Sequence, residues 1–285
     1  MISIVSVCVS IVLHVCLINR ANATVIINSY KPPQCYHEWT SCDHGLGSKA
    51  VQFYSNKQVL FIGDSLTRYQ YLSLCYILRH RKAQRKETYP SVLQENTWDG
   101  WPAFFIGSSN MLYPYEECTV CDHGGTYEYR HYHDPHLNIK LTYIQYRGIG
   151  FEKDNWLSIY FPNNEHLDLV VTNVGFFGFH FSNSYLQFIE VMKALADKVV
   201  WKTTTYQDQE YTTPDWWEKH SSAAANRTTM NQMDSFMCNY EGVLCLDTSW
   251  TATHAKSSNY WDTTHFKEPI YAIFNDELIN ILKAP

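Results

Sequence analysis

The chain has 285 residues and a formal net charge of −6, and 45% of its residues are hydrophobic while only 18% are charged. This composition predicts one large globular domain, or two small ones, and excludes intrinsic disorder, which needs low hydrophobicity and high net charge. A mildly acidic chain without a dominant basic region also argues against a nucleic-acid-binding protein.

The first 23 residues predict a secretory signal. An apolar run over residues 2–18 precedes Ala21-Asn22-Ala23, which has the A-x-A pattern that signal peptidase reads. Because the run is short for a membrane span, a cleaved signal over 1–23 is favoured over an uncleaved anchor, and membrane association is expected only for the anchor. The remaining chain, 24–285, is expected as a single domain in the Golgi lumen or outside the cell.

An oxidising compartment predicts disulfide bonds and glycosylation. Six of the cysteines beyond the signal segment fall into close pairs, which are Cys35 with Cys42, Cys118 with Cys121, and Cys238 with Cys245. A short-loop disulfide within each pair is the simplest interpretation, although other connectivities remain open. Cys75 is expected to be buried on a helix, and Asn226 begins a glycosylation sequon, Asn-Arg-Thr.

Predicted strands and helices alternate along the chain. Hydrophobic segments predict buried strands over 58–62, 167–172, 198–202 and 242–247, and amphipathic patterns predict helices over 66–82, 185–196 and 270–282. This alternation favours an α/β fold with a central parallel sheet. A further alternating segment, 138–146, is expected at the sheet edge, and 88–136 is interpreted as long ordered loops.

The strongest local signal is a serine at a strand-to-helix turn. A hydrophobic strand runs directly into Gly63-Asp64-Ser65, and an amphipathic helix follows at once. Ser65 is therefore expected at the carboxyl end of the first strand, with its N–H in a helical turn that favours developing negative charge. Such a serine suits acyl transfer, but from this short motif alone a plain helix N-cap is an equally good interpretation of Ser65.

Asp262 and His265 form a candidate general-base pair directly before the last helix. At i and i+3 they can share one face, with Asp262 holding one ring nitrogen while the other accepts the Ser65 proton. A chance D-x-x-H is the competing interpretation in a chain with 13 histidines. The position of the pair after all four core strands favours the catalytic interpretation.

These motifs resemble the SGNH (GDSL-type) hydrolase superfamily. The resemblance is carried by blocks that occur in order along the chain: Gly63-Asp64-Ser65 with Arg68 and Gln70, then Asn173-Val174-Gly175, then Asp262 with His265. Two further blocks, Ser73-Leu74-Cys75 and Trp201-Lys202-Thr203-Thr204, are similar to the PC-esterase branch. That branch includes the plant trichome birefringence-like polysaccharide O-acetyltransferases.

The resemblance implies a flavodoxin-like, three-layer α/β/α sandwich and a triad of Ser65, His265 and Asp262. It also implies that the Ser65 amide and the Asn173 side chain help to form an oxyanion hole. Gly175 and His180 are further candidates for binding substrate, with His180 either lining the pocket or packed in the core.

Arg68, another substrate-binding candidate, lies about one turn after Ser65. It either braces the catalytic loops through an ion pair or reaches an acyl donor. A second group, Cys118-x-x-Cys121-x-His123 followed by His131, His133 and His136, has the residue types of a zinc site. A disulfide or loop clasp is favoured there, and no metal or cofactor is expected, since the serine route requires none.

The favoured function is O-acetyl transfer from an acetyl donor to a carbohydrate hydroxyl through an acetyl-serine. An O-acetylesterase is a close second, because it would use the same residues with water as the acceptor. From another class, a catalytically silent glycan-binding or interaction module remains open.

Overall fold

The structure is a computed structural model that describes residues 45–83, 112–121, 128–145, 166–173, 175, 183–205, 221–260 and 264–284. The chain divides into two compact units, Met1–Tyr30 and Lys31–Pro285, and the first lies wholly outside the described residues. Cys35 and Cys42 lie outside them too, so the signal segment and this cysteine pair stay predictions. No helix in the described part is both long and apolar enough to cross a membrane.

Seven strands and six α-helices occur among the described residues. The strands are β1 (Gln58–Gly63), β2 (Glu116–Cys121), β3 (Glu128–Asp134), β4 (Ile139–Gln145), β5 (Leu169–Thr172), β6 (Val199–Lys202) and β7 (Val243–Leu246). The helices are α1 (Leu46–Tyr54), α2 (Ser65–His80), α3 (Asn183–Leu195), α4 (Ser221–Cys238), α5 (Thr251–His254) and α6 (Glu268–Lys283). A single 3₁₀ turn, Ser257–Asn259, precedes α6 in this part of the chain.

All seven strands form one sheet in the order β2-β3-β4-β1-β5-β6-β7. The five strands from β4 to β7 in this order are mutually parallel, whereas β3 is antiparallel to both β4 and β2. Renumbered along the chain, the parallel strands have the order 2-1-3-4-5, which is that of flavodoxin-like sheets. The predicted α/β class is confirmed, but the sheet is mixed rather than wholly parallel.

Helices cover both faces of the sheet. In β1, Val59 and Phe61 belong to a core shared with α1, α2 and α6, whereas Leu60 and Ile62 belong to a core that includes α3 and α4. Successive residues of a strand point to opposite faces, so a strand buried on both sides is apolar throughout. This arrangement gives the three layers that were expected.

The segment 138–146 does not lie at the sheet edge, as its alternation predicted. It contains β4, which pairs with β1 on one side and with β3 on the other. Thr142 and Gln145 are polar but buried, so alternation of residue type does not reflect alternation of exposure here.

The interpretation of 88–136 as loops is wrong for β2 and β3. Their buried positions include Glu116, Glu128 and Arg130, which pair with one another instead of facing water. A strand whose core-facing residues are charged lacks the apolar alternation by which strands are recognised.

Helix α4 was not predicted, because its first half is rich in Ser, Ala, Thr and Asn rather than periodic in apolar residues. Asp234 on this helix accepts hydrogen bonds from the Trp201 indole and from the Thr204 N–H, both at 2.8 Å. These bonds fix the carboxyl end of β6. Asn226 lies in the first half of α4, and its glycosylation stays a prediction.

Cys238 and Cys245 form a disulfide bond between the end of α4 and β7, with their Cα atoms 4.8 Å apart. Cys118 is also disulfide-bonded, which removes its sulfur from the set of candidate zinc ligands, and Cys121 ends β2. Cys75 is buried on α2 with a free thiol, as expected.

Candidate active site

Ser65 is the first residue of α2, and Asp64 is its N-cap. The Asp64 Oδ1 atom accepts hydrogen bonds from the N–H groups of Leu66, at 3.0 Å, and Thr67, at 3.2 Å. The interpretation of Ser65 as a plain N-cap is therefore wrong. Because the cap binds the next two N–H groups, it does not engage the Ser65 N–H, which lies at the positive end of the helix dipole.

The Ser65 hydroxyl meets an imidazole from the far end of the chain. Its Oγ lies 2.7 Å from Nε2 of His265, and both residues are half-buried. This distance suits transfer of the hydroxyl proton to the ring nitrogen. The edge of the Tyr69 ring also packs against the imidazole, with 5.5 Å between ring centroids.

A short bridge before α6 positions His265. Tyr260 and Phe266 form an antiparallel β-bridge, and the Lys267 N–H donates to the Asn259 carbonyl at 2.7 Å. His265 therefore lies in a loop whose two ends are held together. Asp262 falls in the same loop but outside the described residues, so its bond to His265 stays a prediction.

Asn173 follows β5 and presents its side chain toward α2. Its Oδ1 accepts a hydrogen bond of 2.8 Å from the Thr67 hydroxyl, which fixes the orientation of the amide. The residue is 1% exposed, yet within the described part of the chain its Nδ2 has no hydrogen-bond acceptor. A buried, oriented donor without an acceptor is suited to bind a group supplied by a ligand.

Two glycines let these elements approach one another. A Cβ on Gly63 would lie 2.5 Å from both the Asn173 Oδ1 and the Thr67 Oγ1, so no larger residue fits. Gly175 has a φ of +50°, and a Cβ there would lie 1.7 Å from the Asp64 Oδ2. The structure thus gives Gly175 a packing role against Asp64, and its substrate contact stays a prediction. His180 lies outside the described residues.

Of the two roles expected for Arg68, an ion pair or a contact with an acyl donor, the structure shows the ion pair. Its guanidinium donates to Glu128 on β3 at 2.7 Å, and both side chains are less than 10% exposed. Glu128 also accepts from Arg130, which in turn bonds Glu116 on β2 at 2.8 Å. Burial alone would raise the pKa of Glu128, but the charges of Arg68 and Arg130 outweigh it and hold the pKa below its usual value.

Tyr143 on β4 holds the backbone of the serine turn, a contact that sequence reasoning missed. Its buried hydroxyl lies 3.1 Å from the Gly63 carbonyl and 3.0 Å from the Asp64 carbonyl. The sequence does not indicate this role, because a tyrosine in an alternating strand is ordinarily a packing residue.

The site lies at the switch point of the sheet. The chain passes from β1 to β4 on one side and later to β5 on the other, so the turns after β1 and β5 diverge at their carboxyl ends. Open α/β sheets bind ligands in this crevice. Ser65 follows β1 and Asn173 follows β5, and His265 reaches the same edge from the start of α6.

No model of a known protein family and no curated protein matches the chain. Among solved structures, a protein from Streptococcus pneumonia described as a platelet activating factor has 13% sequence identity and a TM-score of 0.36, covering 87% of this chain and 97% of that chain. A catalytic mutant of an acetylxylan esterase from Geobacillus stearothermophilus has 13% identity and a TM-score of 0.35, covering 81% of this chain and 96% of that chain.

A small COPII coat GTPase from Encephalitozoon cuniculi reaches a similar level, with 14% identity and a TM-score of 0.34, covering 84% of this chain and 87% of that chain. A GTPase therefore resembles the chain about as well as an esterase does. Such likenesses do not discriminate between activities, and the fold assignment rests on the strand order and the two cores.

Proposed function

We propose that the chain is a serine-dependent acyltransferase that moves an acetyl group onto a carbohydrate hydroxyl. The observation that carries this proposal is the 2.7 Å contact between Ser65 Oγ and His265 Nε2, together with the buried Nδ2 of Asn173, which has no acceptor in the described part of the chain. A nucleophile with its base, next to oriented donors, is the arrangement that acyl transfer requires. The motif resemblance to SGNH hydrolases and PC-esterases adds the choice of acetyl group and carbohydrate.

In the first step, His265 accepts the proton of Ser65 as Oγ attacks the acetyl carbonyl of the donor. The Ser65 N–H and the Asn173 Nδ2 bind the resulting oxyanion, and Asp262 stabilises the imidazolium. The tetrahedral intermediate collapses by breaking the bond to the leaving oxygen, which takes the proton from His265. An acetyl-serine and the free donor alcohol result.

In the second step, a sugar hydroxyl enters the site and gives its proton to His265. Its oxygen attacks the acetyl-serine carbonyl, and the oxyanion is held by the same two donors. Collapse returns the proton to Ser65 and releases the acetylated sugar. Water in place of the sugar gives acetate, so the acceptor alone distinguishes a transferase from an esterase.

The disulfide between Cys238 and Cys245 supports placing this reaction in the secretory pathway, since such bonds persist in oxidising compartments. The acceptor and the acetyl donor would then both be lumenal or extracellular.

The test uses the full chain, expressed through a secretory pathway, with Ser65→Ala as the matched control. The protein is incubated with 4-nitrophenyl acetate, with and without a mixture of neutral oligosaccharides, and acetate and acetylated sugar are measured by mass spectrometry. Serine-dependent acetylated sugar supports the transferase. Serine-dependent acetate that sugars do not divert identifies an esterase, and turnover by neither route, with sugar binding retained in Ser65→Ala, identifies a binding module.

A further inference from the structure

Lys202, the last residue of β6, is a buried cation that the proposed mechanism does not use. The residue is 0% exposed, and its Nζ has no hydrogen-bond partner among the described residues. The Nζ lies 5.8 Å from the centroid of the Phe274 ring on α6. Lysines are rarely buried without a partner, so this ammonium requires a physical explanation.

The strand register puts Lys202 beside Asn173. Thr172 on β5 is in register with Ile62 on one side and with Trp201 on the other. One residue further along each strand, Gly63, Asn173 and Lys202 form a row across the sheet. Neighbouring strands are about 4.8 Å apart, and residues in register on parallel strands point to the same face.

The side-chain contacts of Asn173 and Lys202 agree with their placement on one face of the sheet. Asn173 bonds Thr67 on α2, and Lys202 contacts Phe274 on α6, and both helices cover the same face of the sheet. Two buried donors without acceptors, the Asn173 Nδ2 and the Lys202 Nζ, therefore lie on adjacent strands at the edge that carries Ser65.

The Asp64 carboxylate lies at the same edge of the sheet as Lys202. It is 1% exposed at the head of α2, directly before Ser65. A second negative charge, developing on the substrate oxygen, would meet repulsion from it in surroundings that screen charge poorly. A buried ammonium nearby offsets that repulsion.

The neighbours of Lys202 leave Asp64 as its charged counterpart. From β7 its register partner is Leu246, and from α6 it meets Phe274, neither of which is charged. Burial lowers the pKa of Lys202 to about 8, and the Asp64 carboxylate acts in the opposite direction. The side chain is therefore mostly protonated at neutral pH.

We propose that Lys202 is a positioning residue of the acyl-transfer site, whose ammonium balances the Asp64 carboxylate and so permits negative charge to develop beside Asn173. This inference rests on the proposed function. In this role Lys202 acts through the charge of Asp64 and not as a proton donor or acceptor in the reaction.

The first test is Lys202→Met, which keeps an unbranched side chain, one atom shorter, and removes the charge. We expect kcat to fall at least tenfold with KM unchanged at temperatures where the variant is folded. Lys198→Met is the matched control, since Lys198 directly precedes β6 at the end opposite Lys202 and its Nζ bonds the Leu282 carbonyl at 2.9 Å. That control should keep kcat unchanged.

The second test combines Lys202→Met with Asp64→Asn, which keeps the cap oxygen and removes its charge. If Lys202 acts through Asp64, the kcat of the double variant should lie within threefold of the kcat of Asp64→Asn alone. Wild-type kcat in Lys202→Met, or an equal loss in both backgrounds, would overturn the inference.

Wild type, Lys202→Met, Asp64→Asn and the double variant are also compared by urea denaturation, which depends on no substrate. Ester turnover that survives Ser65→Ala contradicts the proposed function, whereas non-additive stabilities of the Lys202 and Asp64 variants support their pairing in either case. Additive stabilities overturn it.

Discussion

The Asn173 side-chain oxygen accepts a hydrogen bond from the Thr67 hydroxyl, at 2.8 Å, across 106 positions of the chain. This bond joins the end of β5 to the first turn of the helix that Ser65 begins. It also decides which atom of the amide faces the site, since an amide whose oxygen is held presents its NH₂ elsewhere. The orientation of Asn173 is thus built into the fold before any ligand arrives.

Replacing this amide should impair turnover more than binding. Asn173→Ala is expected to lower kcat by about 10²–10³ with little change in KM, because the donor acts on charge that develops only in the transition state. Asn173→Asp is the companion variant, since it keeps an acceptor for Thr67 but lacks the NH₂ donor. Steady-state ester hydrolysis within threefold of wild type in both variants would contradict the role of Asn173.

Two buried carboxylates near Arg68 allow a loss of folding stability to be distinguished from a loss of positioning at the site. Glu128→Gln and Glu116→Gln each remove one carboxylate from the same network, and we expect each to lower the free energy of unfolding by about 3–5 kcal/mol. Glu128 forms the described ion pair with Arg68, one turn from Ser65, whereas the described ion pair of Glu116 is with Arg130, so Glu128→Gln should lower kcat more than Glu116→Gln at temperatures where both variants are folded. Equal kcat values for the two variants would count against a positioning role for Arg68.

Gly175 should tolerate no side chain. Gly175→Ala would bring a methyl group 1.7 Å from the Asp64 carboxylate, and it would also strain a backbone with positive φ. Gly242→Ala is the control, because its φ of +76° is equally unfavourable while the nearest obstacle is a lysine side chain that can move. Urea denaturation should give a loss of about 1 kcal/mol for Gly242→Ala and a clearly larger one for Gly175→Ala. Similar losses would show that the approach to Asp64 is not tight.

Glu268 at the start of α6 gives the stability a pH dependence. Burial raises its pKa to about 8, so the folded chain keeps this carboxyl protonated where the unfolded chain, with a pKa of 4.5, has lost the proton. The stabilisation from a raised pKa is fully present below pH 4.5 and is lost as the pH rises to about 8, by at most about 1.4 kcal/mol per pH unit.

Glu268→Gln should therefore flatten the dependence of stability on pH between 5 and 8. Urea denaturation at these two pH values measures the difference between wild type and variant. An unchanged slope in the variant would mean that another group is responsible.

The serine turn was predictable because local signals coincide there. An apolar strand, Gly-Asp-Ser and an amphipathic helix all agree on one geometry, and the resemblance to SGNH hydrolases names the same residues. The approach of His265 to Ser65 was expected from the position of Asp262-x-x-His265 after the last core strand.

The remainder of the site was not predictable, because it depends on contacts between distant residues. Charged residues such as Glu128 and Arg130 suggest an exposed strand or loop, because the sequence does not show that each pairs with an opposite charge inside the fold. Lys202 ends a segment predicted as a buried strand, but only the sheet register and the covering helix α6 place its side chain on the same face as Asn173. Thr67 carries no signal at all before its partner is known.

The most direct test of this account is to trap the acyl group on the enzyme. Wild type, Ser65→Ala and His265→Ala are mixed with 4-nitrophenyl acetate, quenched with acid within milliseconds to seconds, and digested for peptide mass spectrometry. We expect an acetyl group on Ser65 in wild type, appearing faster than steady-state turnover, and strongly reduced in His265→Ala. Ester turnover without acetylation of Ser65, or with the same rate in Ser65→Ala, would contradict it.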